Sequence, residues 1–119
     1  MKPYTFPHHN LRLYPIALDL AVDCHLLAKS LPRGNASLAD QLRRASQAIP
    51  LLVAEGVNRR TGKQERQRYV EAQGEAGEVA AALELVARLQ LANPNDISRC
   101  WDGVTSVHAM LSKLVASYG

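Results

Sequence analysis

Apolar side chains recur at helical spacing in four successive stretches of this chain. Leu13, Ile16, Ala17, Leu20, Cys24, Leu27, Ala28 and Leu31 fall three or four residues apart with Asp19, Asp23 and Lys29 between them, which predicts a helix over 13–31. Pro15 is tolerable near the first turn, where its missing N–H would have had no partner, and Pro32-Arg33-Gly34-Asn35 closes the segment. Residues 1–12, which contain Pro3, Pro7 and His8-His9, lack this period and read as an irregular lead with a polar tail.

The second stretch, 37–56, opens on Ser37 as cap with Asp40 three residues on, and carries Leu38, Leu42, Ala45, Ile49, Leu52 and Val53 on one face. Pro50 lies well inside it and removes one backbone hydrogen bond, so a single kinked helix is expected. Gly56 and Gly62 bracket a break, and Thr61 with Gln64 caps a third stretch over 62–91. Its core face is Tyr69, Ala72, Ala76, Val79, Leu83 and Val86. From Val79 to Leu89 only Glu84 and Arg88 are polar, so Ala82, Leu85 and Leu89 form a second apolar face with no obvious cover inside a monomer. Asn93 as cap and Pro94 at the first helical position start the fourth stretch, 94–117, with Ile97, Trp101, Val104, His108, Leu111, Leu114 and Val115. Short connections predict an antiparallel up-down-up-down four-helix bundle, all-α, in one domain spanning 1–119. The surplus face on the third helix predicts assembly with further copies.

Composition narrows the function classes. Apolar residues make up 47% of the chain but aromatics only 5%, a balance that suits helices and leaves few rings for stacking on bases. Two cysteines are too few for a disulfide scaffold, and the first ten residues lack the apolar run of a secretion signal, so a reduced, cytosolic protein is expected. No apolar run is long enough to span a bilayer, so no membrane partner is expected. A di-metal bundle needs paired Glu-x-x-His motifs, and none occurs; no metal, cofactor or catalytic residue is implied. Cys24 and Cys100 read as buried and inert, and Gly74 and Gly77 as positions that admit another backbone. The expectation is a non-enzymatic protein.

Charge is unevenly spread. The chain carries +3 overall, yet Gln41 to Arg68 holds seven basic residues against Glu55 and Glu65. A turn centred on Arg59 and Arg60 sets Arg44 opposite Glu75 and leaves Glu55 near Lys63 or Arg66, which makes Arg44, Glu55 and Glu75 candidates for structural ion pairs. Arg59, Arg60, Lys63 and Arg66 crowd the same turn with few acids to neutralise them. Repeated around a ring, they would form a rim suited to a polyphosphate backbone, RNA or DNA. A surface for a protein partner, with the arginines serving solubility, is the alternative.

The run Gln41-Leu42-Arg43-Arg44-Ala45-Ser46, then Ile49-Pro50, Ala54-Glu55-Gly56, Arg59-Arg60, and later Glu65, Tyr69, Ala72, Gly74 and Glu78, resembles the four-helix-bundle family of 23S rRNA intervening-sequence proteins. The accessory variability proteins of diversity-generating retroelements are related to that family. The likeness covers most of the chain. It implies a bundle that assembles into a ring, with pentamers known in the family, and for the retroelement relatives a basic surface that binds nucleic acid and a reverse transcriptase. Arg43, Arg44, Glu55, Gly56, Arg59 and Glu78 match the family pattern. The chain departs from it at Leu51-Leu52, where the family usually has Ser-Asn, and at Glu75, which replaces a serine.

Overall fold

Each of the four apolar periods becomes one helix. The protein's structure, a computed structural model, describes residues 4–118; Pro3 of the lead lies outside them. A short 3₁₀ turn, Pro7–Asn10, precedes α1 (Leu13–Ser30), α2 (Ala36–Val57), α3 (Gly62–Arg88) and α4 (Pro94–Ser117), with no strand among the described residues. α1 packs on α2 and α4, and α3 packs on the same two, so α1 and α3 stand diagonally across the bundle. The core between them is built from Leu20, Leu42, Ile49, Val53, Tyr69 and Leu83, with alanines at 17, 45, 72 and 76 that let the helices approach closely.

Local chemistry decides where the helices begin and end. Thr61 Oγ1 accepts the Gln64 N–H at 3.2 Å, and Asn93 accepts the Asn95 N–H at 2.8 Å ahead of Pro94. The cap expected at Ser37 lies two residues upstream: Asn35 is the N-cap, and its side-chain amide donates to the Pro32 carbonyl at 2.9 Å instead of holding the helix end. α3 stops at Arg88 because Gln90 turns into the left-handed region (φ 55°), which directs Leu91 N–H to Val86 C=O at 3.0 Å and Gln90 N–H to Ala87 C=O at 3.1 Å. Pro50 stays inside a continuous α2, buried like Ser46, whose carbonyl loses its usual partner to the ring.

The lead before α1 is not an irregular tail. Phe6 N–H donates to His9 Nδ1 at 2.9 Å, His9 N–H donates to Phe6 C=O at 3.0 Å, and Asn58 Nδ2 lies 3.2 Å from His8 Nδ1. Asn58 also donates to Ala54 C=O at 2.7 Å, so the turn is docked on the last turn of α2.

Packing separates two kinds of glycine. Gly56 lies in the last turn of α2 and is buried there, and a Cβ on it would come 2.7 Å from Tyr69 Cε1 and 3.2 Å from Arg68 Cβ. Gly74 and Gly77 are exposed on α3, and nothing in the chain comes within 4 Å of a Cβ built on either. Opposite stability effects follow. Gly56→Ala should destabilise the fold by about 1–3 kcal/mol through overpacking, whereas Gly74→Ala should stabilise it by about 0.5–1 kcal/mol, both read from urea midpoints.

Candidate nucleic-acid interface

The end of α2 lies against the start of α3, and the start of α3 lies against the end of α4, where Tyr118 sits 3.4 Å from a Cβ built on Gly62. All four cations expected at this end are exposed, but they are not equivalent. Arg59 donates to Glu55 at 2.6 Å. Arg60, Lys63 and Arg66 make no ion pair within 4.0 Å among the described residues.

Arg68, which charge counting alone does not separate from its neighbours, is the structural cation of this seam. Its Nη1 donates to both Glu71 oxygens at 2.9 and 2.8 Å, and its Nε lies 3.3 Å from Glu55 Oε1 without hydrogen-bond geometry, leaving that buried N–H unsatisfied. Glu55 therefore pairs with Arg59 and Arg68, not with Lys63 or Arg66. Side-chain facing explains the difference: Arg68 lies one turn further along α3 than the centre of the loop predicts, on the side that meets α2.

Arg59, Thr61, Lys63, Gln64, Gln67 and Arg68 line a groove of about 460 Å³. Arg60 and Arg66 lie outside its lining, so the four expected residues divide into two in the groove and two beside it. A second depression along α2 is lined by Leu51, Ala54, Glu55, Asn58 and Arg59, and Arg59 is common to both. Below the groove, Tyr69 is buried and its hydroxyl donates to Glu65, while Glu65 also pushes the Tyr118 phenol up to about 12 through a hydrogen bond. Burial first, then Glu65, raises the Tyr69 phenol well above its ordinary value, so it stays protonated as a donor.

Elsewhere the expected pairings change. Arg44 and Glu75 make no ion pair; the Arg44 guanidinium donates to Gln41 at 3.4 Å. Burial and then the Glu78 carboxylate raise the Glu75 carboxyl above its ordinary value, and Arg44 only partly opposes them. Of the expected oligomer face, Ala82 is 6% exposed and already covered within the bundle, whereas Leu85 and Leu89 are 47% and 54% exposed. The hydrophobic run placed Ala82 outward, but it flanks the core face of α3. Leu18, Val22 and Leu26 form a second exposed apolar stripe on the outer side of α1. Their four-residue spacing, with Asp19 and Asp23 on the flank, was the signal for it.

Cys24 and Cys100 are free and buried; contact with Cys100 and burial hold the Cys24 thiol above its usual range. No group of three potential metal ligands occurs among the described residues, and no helix among them is long and apolar enough to cross a membrane.

The model of the 23S rRNA-intervening sequence protein family matches residues 9–113, nearly the whole bundle and the 3₁₀ turn's last residues. The chain belongs to this family. No curated relative matches the chain. The match spans the seam built from Glu55, Gly56, Arg59 and Arg68 as well as the outer faces of α1 and α3.

Glu75 gives this region a pH dependence whose sign is fixed. Its folded pKa lies above the unfolded value, so its contribution to stability is present at low pH and is lost as pH rises through the carboxylate range. Glu75→Gln should raise the melting temperature by about 1–3 °C near neutral pH, a small gain because the group is largely solvated, and give no gain near about pH 4. An equal gain at both pH values would remove charge as the cause.

Proposed function

We propose that this protein is a non-enzymatic, ring-forming homo-oligomer of antiparallel up-down-up-down bundles that binds RNA or DNA at the α2–α3 end. The observation that carries the reading is the set Arg60, Lys63 and Arg66: three exposed cations at one end, with the nearby carboxylates of Glu55 and Glu71 already engaged by Arg59 and Arg68. Free cations clustered at one end attract an extended polyanion, whose counterions are released on binding. Membership of a family described by an rRNA insertion favours a nucleic acid over other polyanions.

Assembly rests on two outward apolar faces on helices that stand diagonally across the bundle. Leu18, Val22 and Leu26 lie on α1, and Leu85 and Leu89 lie at the far end of α3. Two different patches on opposite sides of one molecule suit a head-to-tail contact, which closes into a ring when the rotation permits; the pentamer of the family resemblance is one such ring. Each subunit would then present its α2–α3 end in the same relation to the ring axis, multiplying the charge.

A protein-binding role is the second reading. It is favoured by an apolar groove at the α3–α4 connection, lined by Ala87, Ala92, Pro94, Ile97 and the half-exposed Trp101, far from the cations. Capture of partners from lysate with and without nuclease separates the two readings, since only a direct protein contact survives nuclease.

Affinity for a labelled RNA should fall steeply between about 50 and 300 mM salt, with a log–log slope of about 0.7–0.9 per phosphate neutralised. Arg60→Glu with Lys63→Glu should lower affinity at least about tenfold at low salt and flatten that slope. Unchanged affinity in this variant, or binding independent of salt, contradicts the reading. Light scattering should find an oligomer at micromolar concentration and a smaller species for Leu85→Glu with Leu89→Glu; a monomeric unmodified protein would remove the ring.

A further inference from the structure

The few aromatic residues are not scattered. Tyr4, Phe6, Tyr14, Tyr69 and Tyr118 belong to the same end of the bundle as the basic loop, and only Trp101 lies elsewhere. Tyr69 and Tyr118 serve the seam, as described. Tyr14 is half-buried and packs on the core, but Tyr4 and Phe6 have no such role: no residue of the Pro7–Asn10 turn is buried, and Tyr4 is 72% and Phe6 50% exposed.

This exposed cluster is nevertheless ordered. The Tyr4 and Phe6 ring centroids are 4.9 Å apart, Phe6 stacks on His8 at 5.6 Å with planes only 16° apart, and His8 meets the edge of Tyr14 at 4.6 Å. The turn's own hydrogen bonds and the His8–Asn58 contact hold it against α2 without any contribution to the core. Asn58 accounts for the position: it immediately precedes Arg59 and Arg60, and Asn58 and Arg59 line the same depression, from which Arg59 leads into the groove holding Lys63. Flat rings fixed beside a row of cations match a ligand that offers flat faces and phosphates together.

We infer that the Pro7–Asn10 turn, with Tyr4, Phe6 and His8, is a base-stacking platform that makes the α2–α3 end a site for single-stranded nucleic acid. The inference rests on the nucleic-acid reading above and narrows it. A duplex keeps its base faces stacked inside and offers this turn only phosphates; a single strand can place a base on Phe6 or Tyr4 while its backbone follows Arg59, Arg60 and Lys63. Ordering of the turn before binding lowers the entropy cost of forming the contact. The scarcity of aromatics that argues against stacking in the composition is offset by their concentration at one site.

The test compares three fluorescent probes of about ten nucleotides at low salt: a single-stranded RNA, the same backbone without bases, and the duplex. The single strand should bind at least about fivefold more tightly than the abasic backbone, and Tyr4→Ala with Phe6→Ala should erase that difference while leaving the salt slope unchanged. Because both side chains are exposed, the double variant should keep the parent's helical circular dichroism and melting temperature, and Phe6→Trp should retain the preference. Equal binding of the single strand and the abasic backbone, tighter binding of the duplex, or an unaffected double variant would each overturn the platform while leaving the electrostatic reading in place. Failure of all three probes to bind would remove both.

Discussion

The approach of α2 to α3 over Gly56 is the constraint on which the rest of this molecule depends. With no Cβ at 56, the buried Tyr69 ring lies against the α2 backbone, and that closeness lets Arg68 sit between Glu55 and Glu71. The seam therefore uses the local carboxylates internally. Arg60, Lys63 and Arg66, one turn or less from it, are left facing solvent without acidic partners, so the packing that closes the bundle also creates its charged end. The contribution of each exposed pair to stability is small, about 0–1 kcal/mol, and their larger effect is on which cations remain free.

Helix existence and order were legible because the apolar period is long and regular in all four segments, and because Thr61 and Asn93-Pro94 are unambiguous start signals. Ends without such signals were not. Gln90 takes a left-handed conformation usually marked by glycine, and α2 starts after Asn35, which makes no side-chain cap bond, although Ser37 looked the better candidate. The basic end was visible as a charge run, but its division into engaged and free cations was not. Which of Lys63, Arg66 and Arg68 meets Glu55 depends on the rotation of α3 about its axis, and a residue count across the loop does not contain that angle. Gly56 carried the information, since a buried helical glycine fixes which residue of the next helix can come close, but in the sequence it resembles a helix terminator.

Long-range contact also decided the fate of the lead. Residues 4–10 have no helical period, and nothing local indicates that His8 would find Asn58 fifty positions away. The same blindness applies outward. Leu18, Val22 and Leu26 belong to a helix whose core face is already complete, so they pass unnoticed until the core is counted and they are found outside it. Together with Leu85 and Leu89 they leave the bundle with apolar surface on two sides and charge with aromatic rings at one end. Under the proposed function, assembly and nucleic-acid binding use separate surfaces, and neither has to be dismantled for the other to act.

The most direct measurement is photo-crosslinking of the protein to an RNA carrying 4-thiouridine, with the linked peptides identified by mass spectrometry. The account places the links within residues 4–14 and 58–68. Links confined to Leu85–Trp101, at the opposite end of the bundle, would contradict it.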